Sequence, residues 1–177
     1  MAKLKNIKTI ENVLDTTLLE KLNKYIQTKS FFEYTEHPGR HGYKIEYDDP
    51  VYKFLNLNLK LKILESFDET DNINNIKLSD VILCKDEEGF ELPIHTDDIY
   101  KYISCVIYLV DDIPGTSFLL GIGIRKEIKA ETNKLLYFKS KDLYHNVNKT
   151  KKQRFTLQFH YKNVSTLNRF INLIGFD

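Results

Sequence analysis

The chain has 177 residues, of which 42% are hydrophobic, a size and content that fit one domain with its own core. Lysine and arginine number 26 against 25 aspartate and glutamate, so the net charge of +1 provides no bulk field for nucleic acid or an anionic membrane surface. Neither partner class is expected. No apolar run approaches membrane-spanning length, and the first residues, MAKLKNIKTIENV, lack a continuous apolar segment. The two cysteines, Cys84 and Cys105, lie in apolar runs where a free thiol behaves as a small hydrophobe, so a reducing, cytoplasmic setting is expected rather than a disulfide framework.

No repeat, low-complexity tract or Pro/Gly/Ser linker divides the chain, and residues 1–177 are expected to form a single domain. Residues 1–75 read as mostly helical support, 76–162 as the β core and 163–177 as a C-terminal segment. Asp15 can cap a helix whose apolar residues Leu18, Leu22, Tyr25 and Ile26 make one buried stripe. The HPGRHG segment, residues 37–42, reads as a loop bent by Pro38, Gly39 and Gly42, with His37, Arg40 and His41 as candidate contacts. An ordinary surface turn has the same composition.

Asp49-Pro50 opens a second helix, because proline at the first helical position loses no hydrogen bond. Phe54, Leu57, Leu61 and Leu64 would be its core face. Leu57, Leu59, Leu61 and Ile63 also alternate like a strand; length and the start signal favour the helix. From Ile76 onward the period is mostly two. Phe90, Leu92 and Ile94 share one face, while Glu91, Pro93, His95 and Asp97 share the other. The same division recurs where Phe155, Leu157, Phe159 and Tyr161 alternate with Arg154, Thr156, Gln158 and His160. A barrel or double-sheet roll with a polar lumen and an apolar exterior under the N-terminal helices accounts for both. At the end, Leu167, Phe170, Ile171 and Ile174 have helical spacing with Gly175 as a stop.

The chemistry concentrates in His95-Thr96-Asp97, His145 and Arg154. Residues two apart in a strand point to the same side, so His95 and Asp97 can offer an imidazole nitrogen and a carboxylate oxygen to one metal. His145 would supply the third ligand. Two histidines and a carboxylate that leave the opposite positions open are the arrangement of non-haem Fe(II) oxygenases. Arg154 lies nine residues beyond His145, far enough to cross a turn and return on a neighbouring strand. Its guanidinium can fork onto a carboxylate as no lysine can.

The triplet alone is a short pattern; its context makes it specific. From Val81 to Tyr161 the chain resembles the Fe(II)/2-oxoglutarate-dependent dioxygenases, in their prolyl-4-hydroxylase-like branch. The resemblance is carried by GFELPIHTD, ISCVIYLVDD, GTSFLL, ETNKLLYFKSKDLYHNV and QRFTLQFHY. Two departures are visible. The turn before GTSFLL has one glycine where many relatives have two, and Cys84 stands near a position that is often tyrosine.

The resemblance implies a mainly β, double-stranded β-helix core of jelly-roll or cupin-like form with supporting N-terminal helices. It implies Fe(II) on His95, Asp97 and His145, 2-oxoglutarate as cosubstrate on Arg154, Thr156 and Tyr108, and O2 as oxidant. The implied reaction is hydroxylation of a C–H bond in a prolyl or other peptidyl side chain, or in a small molecule. Asp97 favours hydroxylation over halogenation, since related halogenases carry a small residue there. In similar enzymes the segment before the barrel helps cover the site, which brings His37, Arg40 and His41 toward substrate. Two other classes are separable: a cupin-like metal enzyme without 2-oxoglutarate needs no Arg154, and a non-catalytic jelly-roll binding module needs no triad. Nucleic-acid demethylation is disfavoured by the balanced charge and by the lack of a second arginine after the anchor. His160 reads as a hydrogen-bonded structural residue, and Lys149, Lys151 and Lys152 as a solvated hairpin tip.

Overall fold

The computed structural model describes residues 2–98, 100–111, 113–141 and 143–164. The C-terminal helix expected around Leu167–Gly175 lies outside them. Strand β1 (Ile7–Ile10) leads into helix α1 (Thr16–Thr28), which begins where Asp15 leaves helical backbone angles and its side chain accepts the Leu18 N–H at 2.9 Å. Leu18 and Leu22 are buried on its inner face. After β2 (Phe32–Glu33) and β3 (Arg40–Ile45), helix α2 (Pro50–Phe54) starts at Asp49, whose side chain accepts from Val51 N, with Pro50 in the first turn. A wider π-type turn over Leu55–Leu59 joins α2 to α3 (Lys60–Ser66), so this stretch is helical and the strand alternative fails.

The buried stripe of these helices differs from the expected one. Val51, Leu55, Leu59 and Ile63 are fully buried, whereas Leu57 is 67% and Leu61 40% exposed. Contacts spaced four residues apart would drift off one face of a regular 3.6-residue helix, and the wide turn cancels the drift. Each fully buried leucine or isoleucine contributes about 1.5–3 kcal/mol through removal of apolar area from water.

The β core is two antiparallel sheets. The larger has the order β1-β9-β6-β11-β4-β3-β2 and the smaller β5-β10-β7-β8. The remaining strands are β4 (Ile76–Asp86), β5 (Leu92–His95), β6 (Lys101–Tyr108), β7 (Thr116–Gly121), β8 (Ile124–Ile128), β9 (Lys134–Lys139), β10 (Tyr144–Val147) and β11 (Arg154–Asn163). This is a mainly β jelly-roll arrangement with N-terminal helices.

The first 75 residues are less helical than expected. β1 pairs with β9 at one edge of the larger sheet, and β3 pairs with β4 at the other. The HPGRHG segment is therefore only partly a loop: a tight turn with Gly39 at φ 82° leads directly into β3 at Arg40. The physical reason is the length of β4. Its eleven residues pair with β11 on one side, and the backbone donors and acceptors of its other edge need a partner, which β3 supplies.

The period-two division lands as the sequence pattern implies on the larger sheet. Leu157, Phe159 and Tyr161 join Leu22, Leu55, Leu59 and Ile63 in a core between that sheet and the helices. A second core between the sheets contains Phe118 from β7, Ile128 from β8, and Leu136 and Phe138 from β9. Among the described residues the helices cover the larger sheet, and Ile94, Tyr144 and Ile124 on the smaller one are 45%, 49% and 61% exposed. Cys84 and Cys105 are buried and free. Among the described residues no helix is long and apolar enough to cross a membrane.

Candidate active site

Where the inter-sheet core stops, the two sheets enclose a cavity of about 870 Å³. Its lining follows from strand parity: Arg154, Thr156, Gln158 and His160 face it from β11, and Ile82 and Cys84 face it from β4. His95, Asp97 and His145 lie in the same cavity, as do Tyr108, Arg40 and His37.

His95 ends β5 and sits directly opposite His145 of β10 in the antiparallel register, with ring centroids 4.3 Å apart. One candidate ligand atom from each of His95, Asp97 and His145 lies within 4.8 Å of the others. The strand stops at His95, so Asp97 is not aimed by strand parity. Its carboxylate is instead held by side chains from β6: Ser104 Oγ donates to Oδ2 at 2.5 Å, and Lys101 Nζ pairs with Oδ1 at 3.0 Å. Both were missed in the sequence, where nothing in KYISC distinguishes a residue that orients a ligand from an ordinary strand residue.

The histidines are oriented by the backbone. His95 Nδ1 lies 2.8 Å from Pro93 O and His145 Nδ1 lies 3.2 Å from Leu143 O. A carbonyl oxygen only accepts, so both Nδ1 atoms donate and Nε2 is left as the candidate ligand atom of each ring. Phe118 and Phe138 pack against the His145 ring, with centroids 5.9 Å and 4.9 Å away. Burial pushes the His145 imidazole below its ordinary pKa, with Asp97 opposing this in part, which keeps the ring neutral. For Asp97 burial acts upward, but Lys101, His145 and Ser104 outweigh it and hold the carboxyl below its usual range.

The opposite end of the cavity is cationic. Arg154 is 2% exposed and donates from Nε to Asp86 Oδ2 at 2.9 Å, with Nη2 on the same oxygen. Arg40 forks onto Asp86 from the other side, Nε to Oδ1 at 2.7 Å and Nη2 to Oδ2 at 3.0 Å. Its guanidinium also lies over the Phe90 ring, 4.6 Å from the centroid. Asp86 was not singled out in the sequence. The signal was present, because Asp86 shares the parity of Ile82 and Cys84, opposite that of the core residues Val81 and Leu83.

Thr156 is 1% exposed and accepts from Gln158 Nε2 at 3.1 Å. The Tyr108 hydroxyl is 2.9 Å from Thr116 Oγ1, and burial raises its pKa to about 12. Of the three candidate substrate contacts, His37 lines the cavity. His41 does not: adjacent strand residues face opposite sides, and its Nε2 meets Glu87 at 2.9 Å beside an outer groove lined by Lys85 and Phe155. Arg40 lines the cavity, but its fork onto Asp86 commits the guanidinium to the wall rather than to a mobile contact. His160 faces the lumen, and burial lowers its pKa to about 4.

No protein-family model matches the chain, and no curated protein matches it. Solved structures do. A prolyl-4-hydroxylase from Pseudomonas putida is similar with a TM-score of 0.73 at 13% identity, over 89% of this chain and 92% of that one. A prolyl hydroxylase from Trichoplax adhaerens, in complex with a hypoxia inducible factor peptide fragment, gives 0.68 at 14% identity over 91% and 85%. HygX from Streptomyces hygroscopicus, with nickel, 2-oxoglutarate and hygromycin B bound, gives 0.68 at 13% identity over 89% and 82%. The chain thus has the fold of the prolyl-4-hydroxylases and of the wider 2-oxoglutarate/Fe(II) oxygenase structures.

Proposed function

We propose that this protein is an Fe(II)- and 2-oxoglutarate-dependent dioxygenase that hydroxylates a C–H bond. The observation that carries the reading is that His95, Asp97 and His145 share one cavity with a buried arginine, Arg154. The donor set fits iron on the chemistry of this structure. Two imidazoles present Nε2 and one ionised carboxylate is fixed by Ser104 and Lys101, which matches the ligand preference of non-haem iron. When bound, Fe(II) with 2-oxoglutarate supplies oxidative decarboxylation coupled to activation of O2.

The chain's own residues do the rest. Arg154 holds the far carboxylate of 2-oxoglutarate, with Thr156 offering its hydroxyl and Tyr108 closing the same pocket. Phe118 and Phe138 keep water from the His145 side of the site, which strengthens every polar contact there. His37 lies at the cavity and serves as a substrate contact; His41, on the outer face, does not. The substrate is a prolyl or other peptidyl side chain, or a small molecule. The similar structures bracket these choices, one holding a peptide and another hygromycin B.

The direct test is conversion of 2-oxoglutarate to succinate by the purified protein with Fe(II) and O2. Turnover abolished by Asp97→Ala supports the reading. Tight Fe(II) binding without any binding of 2-oxoglutarate would replace it with a metal enzyme of another kind.

A further inference from the structure

Arg40, Asp86 and Arg154 come from three neighbouring strands at one register level, since Asp86 of β4 is paired across the sheet with Arg40 of β3 and with Arg154 of β11. The carboxylate is fully buried behind the two guanidiniums, which line the cavity. Burial alone would raise the Asp86 pKa, but the two arginines outweigh it and keep the group ionised. Two guanidiniums and one carboxylate leave a net charge of +1. Glu36, Asp80 and Glu91 line the same cavity without joining the hydrogen bonds of the triad. Tyr34, Cys84 and Tyr108 adjoin the triad, and burial raises each to about 12, so phenols and thiol are neutral. Lys85 and Glu87, the flanking charges on β4 and beyond, contact groups on the outer face instead.

We propose that Arg40 and Asp86 determine cosubstrate specificity by setting the charge of this wall, so that it prefers a singly charged terminal carboxylate group over a doubly charged terminal group. The proposal rests on the reading that 2-oxoglutarate occupies the cavity. Arg154 makes the contact; Asp86 positions its guanidinium and cancels one positive charge; Arg40 restores the charge that Asp86 removes. In this buried setting a change of one unit is weakly screened and outweighs small changes in packing. Each member therefore acts on selectivity in a direction fixed by the sign of its charge. A role limited to holding the strands together gives no such signs.

The test is calorimetry on the Fe(II)-loaded protein without O2. The two ligands are 2-oxoglutarate and its analogue with a phosphonate in place of the far carboxylate, at a pH where the phosphonate is dianionic. Arg40→Gln makes the triad neutral and should weaken 2-oxoglutarate about tenfold and the phosphonate more. Asp86→Asn makes it +2 and should raise the affinity ratio of phosphonate to carboxylate about tenfold. The double variant keeps only the Arg154 charge and should return the ratio to near that of the wild type. Should Asp86→Asn fail to fold with two unpaired guanidiniums, Arg40→Gln still decides, because Asp86 there retains Arg154. A ratio that stays constant, or that moves the same way in both single variants while the wild type binds 2-oxoglutarate, overturns the proposal and leaves the dioxygenase reading intact. A wild type that binds neither ligand overturns both.

Discussion

The two ends of the cavity are built on different principles. At the cationic end, Arg40, Asp86 and Arg154 sit on three adjacent strands of one sheet, each at most 7% exposed and each held by two or more hydrogen bonds. At the other end, His95 and His145 are cross-strand neighbours on short strands, and Asp97 lies past a strand end. The first site is preorganised by the sheet itself. The second depends on groups that orient it from behind, the Pro93 and Leu143 carbonyls for the rings and Ser104 with Lys101 for the carboxylate. Arg40, Asp86 and Arg154 also begin or end their strands, but they hold one another across three paired strands, whereas Asp97 lies beyond its strand and is held by side chains of β6.

The contrast can be broken most severely at Asp97. Asp97→Ala should abolish specific Fe(II) binding and turnover while the buried guanidiniums and the fold persist; wild-type Fe(II) affinity in a titration would show that the triad is not the metal site. Arg154→Ala should do the converse. Losing a buried charged donor should weaken 2-oxoglutarate binding by about 2–5 kcal/mol with Fe(II) affinity unchanged. Because Asp86 keeps Arg40, the variant should remain folded, which far-UV circular dichroism would check.

His160, paired across the sheet with Ser104 beside Asp97, sharpens the comparison. Its folded pKa of about 4 lies below the ordinary value of 6.5, chiefly through burial and then through Lys101 and Lys162. The folded state thus resists the proton that the unfolded chain accepts. Stability is full above about pH 6.5 and declines as pH falls toward 4, by at most about 3 kcal/mol, a ceiling that solvent screening lowers. Denaturant unfolding across that range should show a flatter profile for His160→Gln; an unchanged slope would place the pH sensitivity elsewhere. The smallest effect is expected at Ser104. Ser104→Ala removes one hydrogen bond to Asp97 and should reduce Fe(II) affinity about tenfold, with 2-oxoglutarate affinity at saturating metal little altered.

Much of this architecture is legible in one dimension, for reasons that differ by element. Asp15 and Asp49-Pro50 announce helix starts because capping is a local interaction between a side chain and the next few N–H groups. The alternation through Arg154–Tyr161 exposes a polar lumen because strand parity is also local. The buried stripe of the α2–α3 region was not legible: Leu57 and Leu61 look like core residues until the wide turn at Leu55–Leu59 rotates them outward.

The sequence by itself singled out His95, Asp97, His145 and Arg154 as candidates for metal and anion, since they are distinguished by chemistry and order. It also determined which strand faces would be apolar. Only the tertiary structure decided that Asp97 is steered by Ser104 and Lys101, that His41 faces outward, and that Arg154 shares Asp86 with Arg40. The physical reason is distance along the chain. Arg40 and Asp86 are 46 residues apart and Asp86 and Arg154 are 68 apart, so their pairing is created by the order of strands in the sheet, and strand order is written in no local pattern.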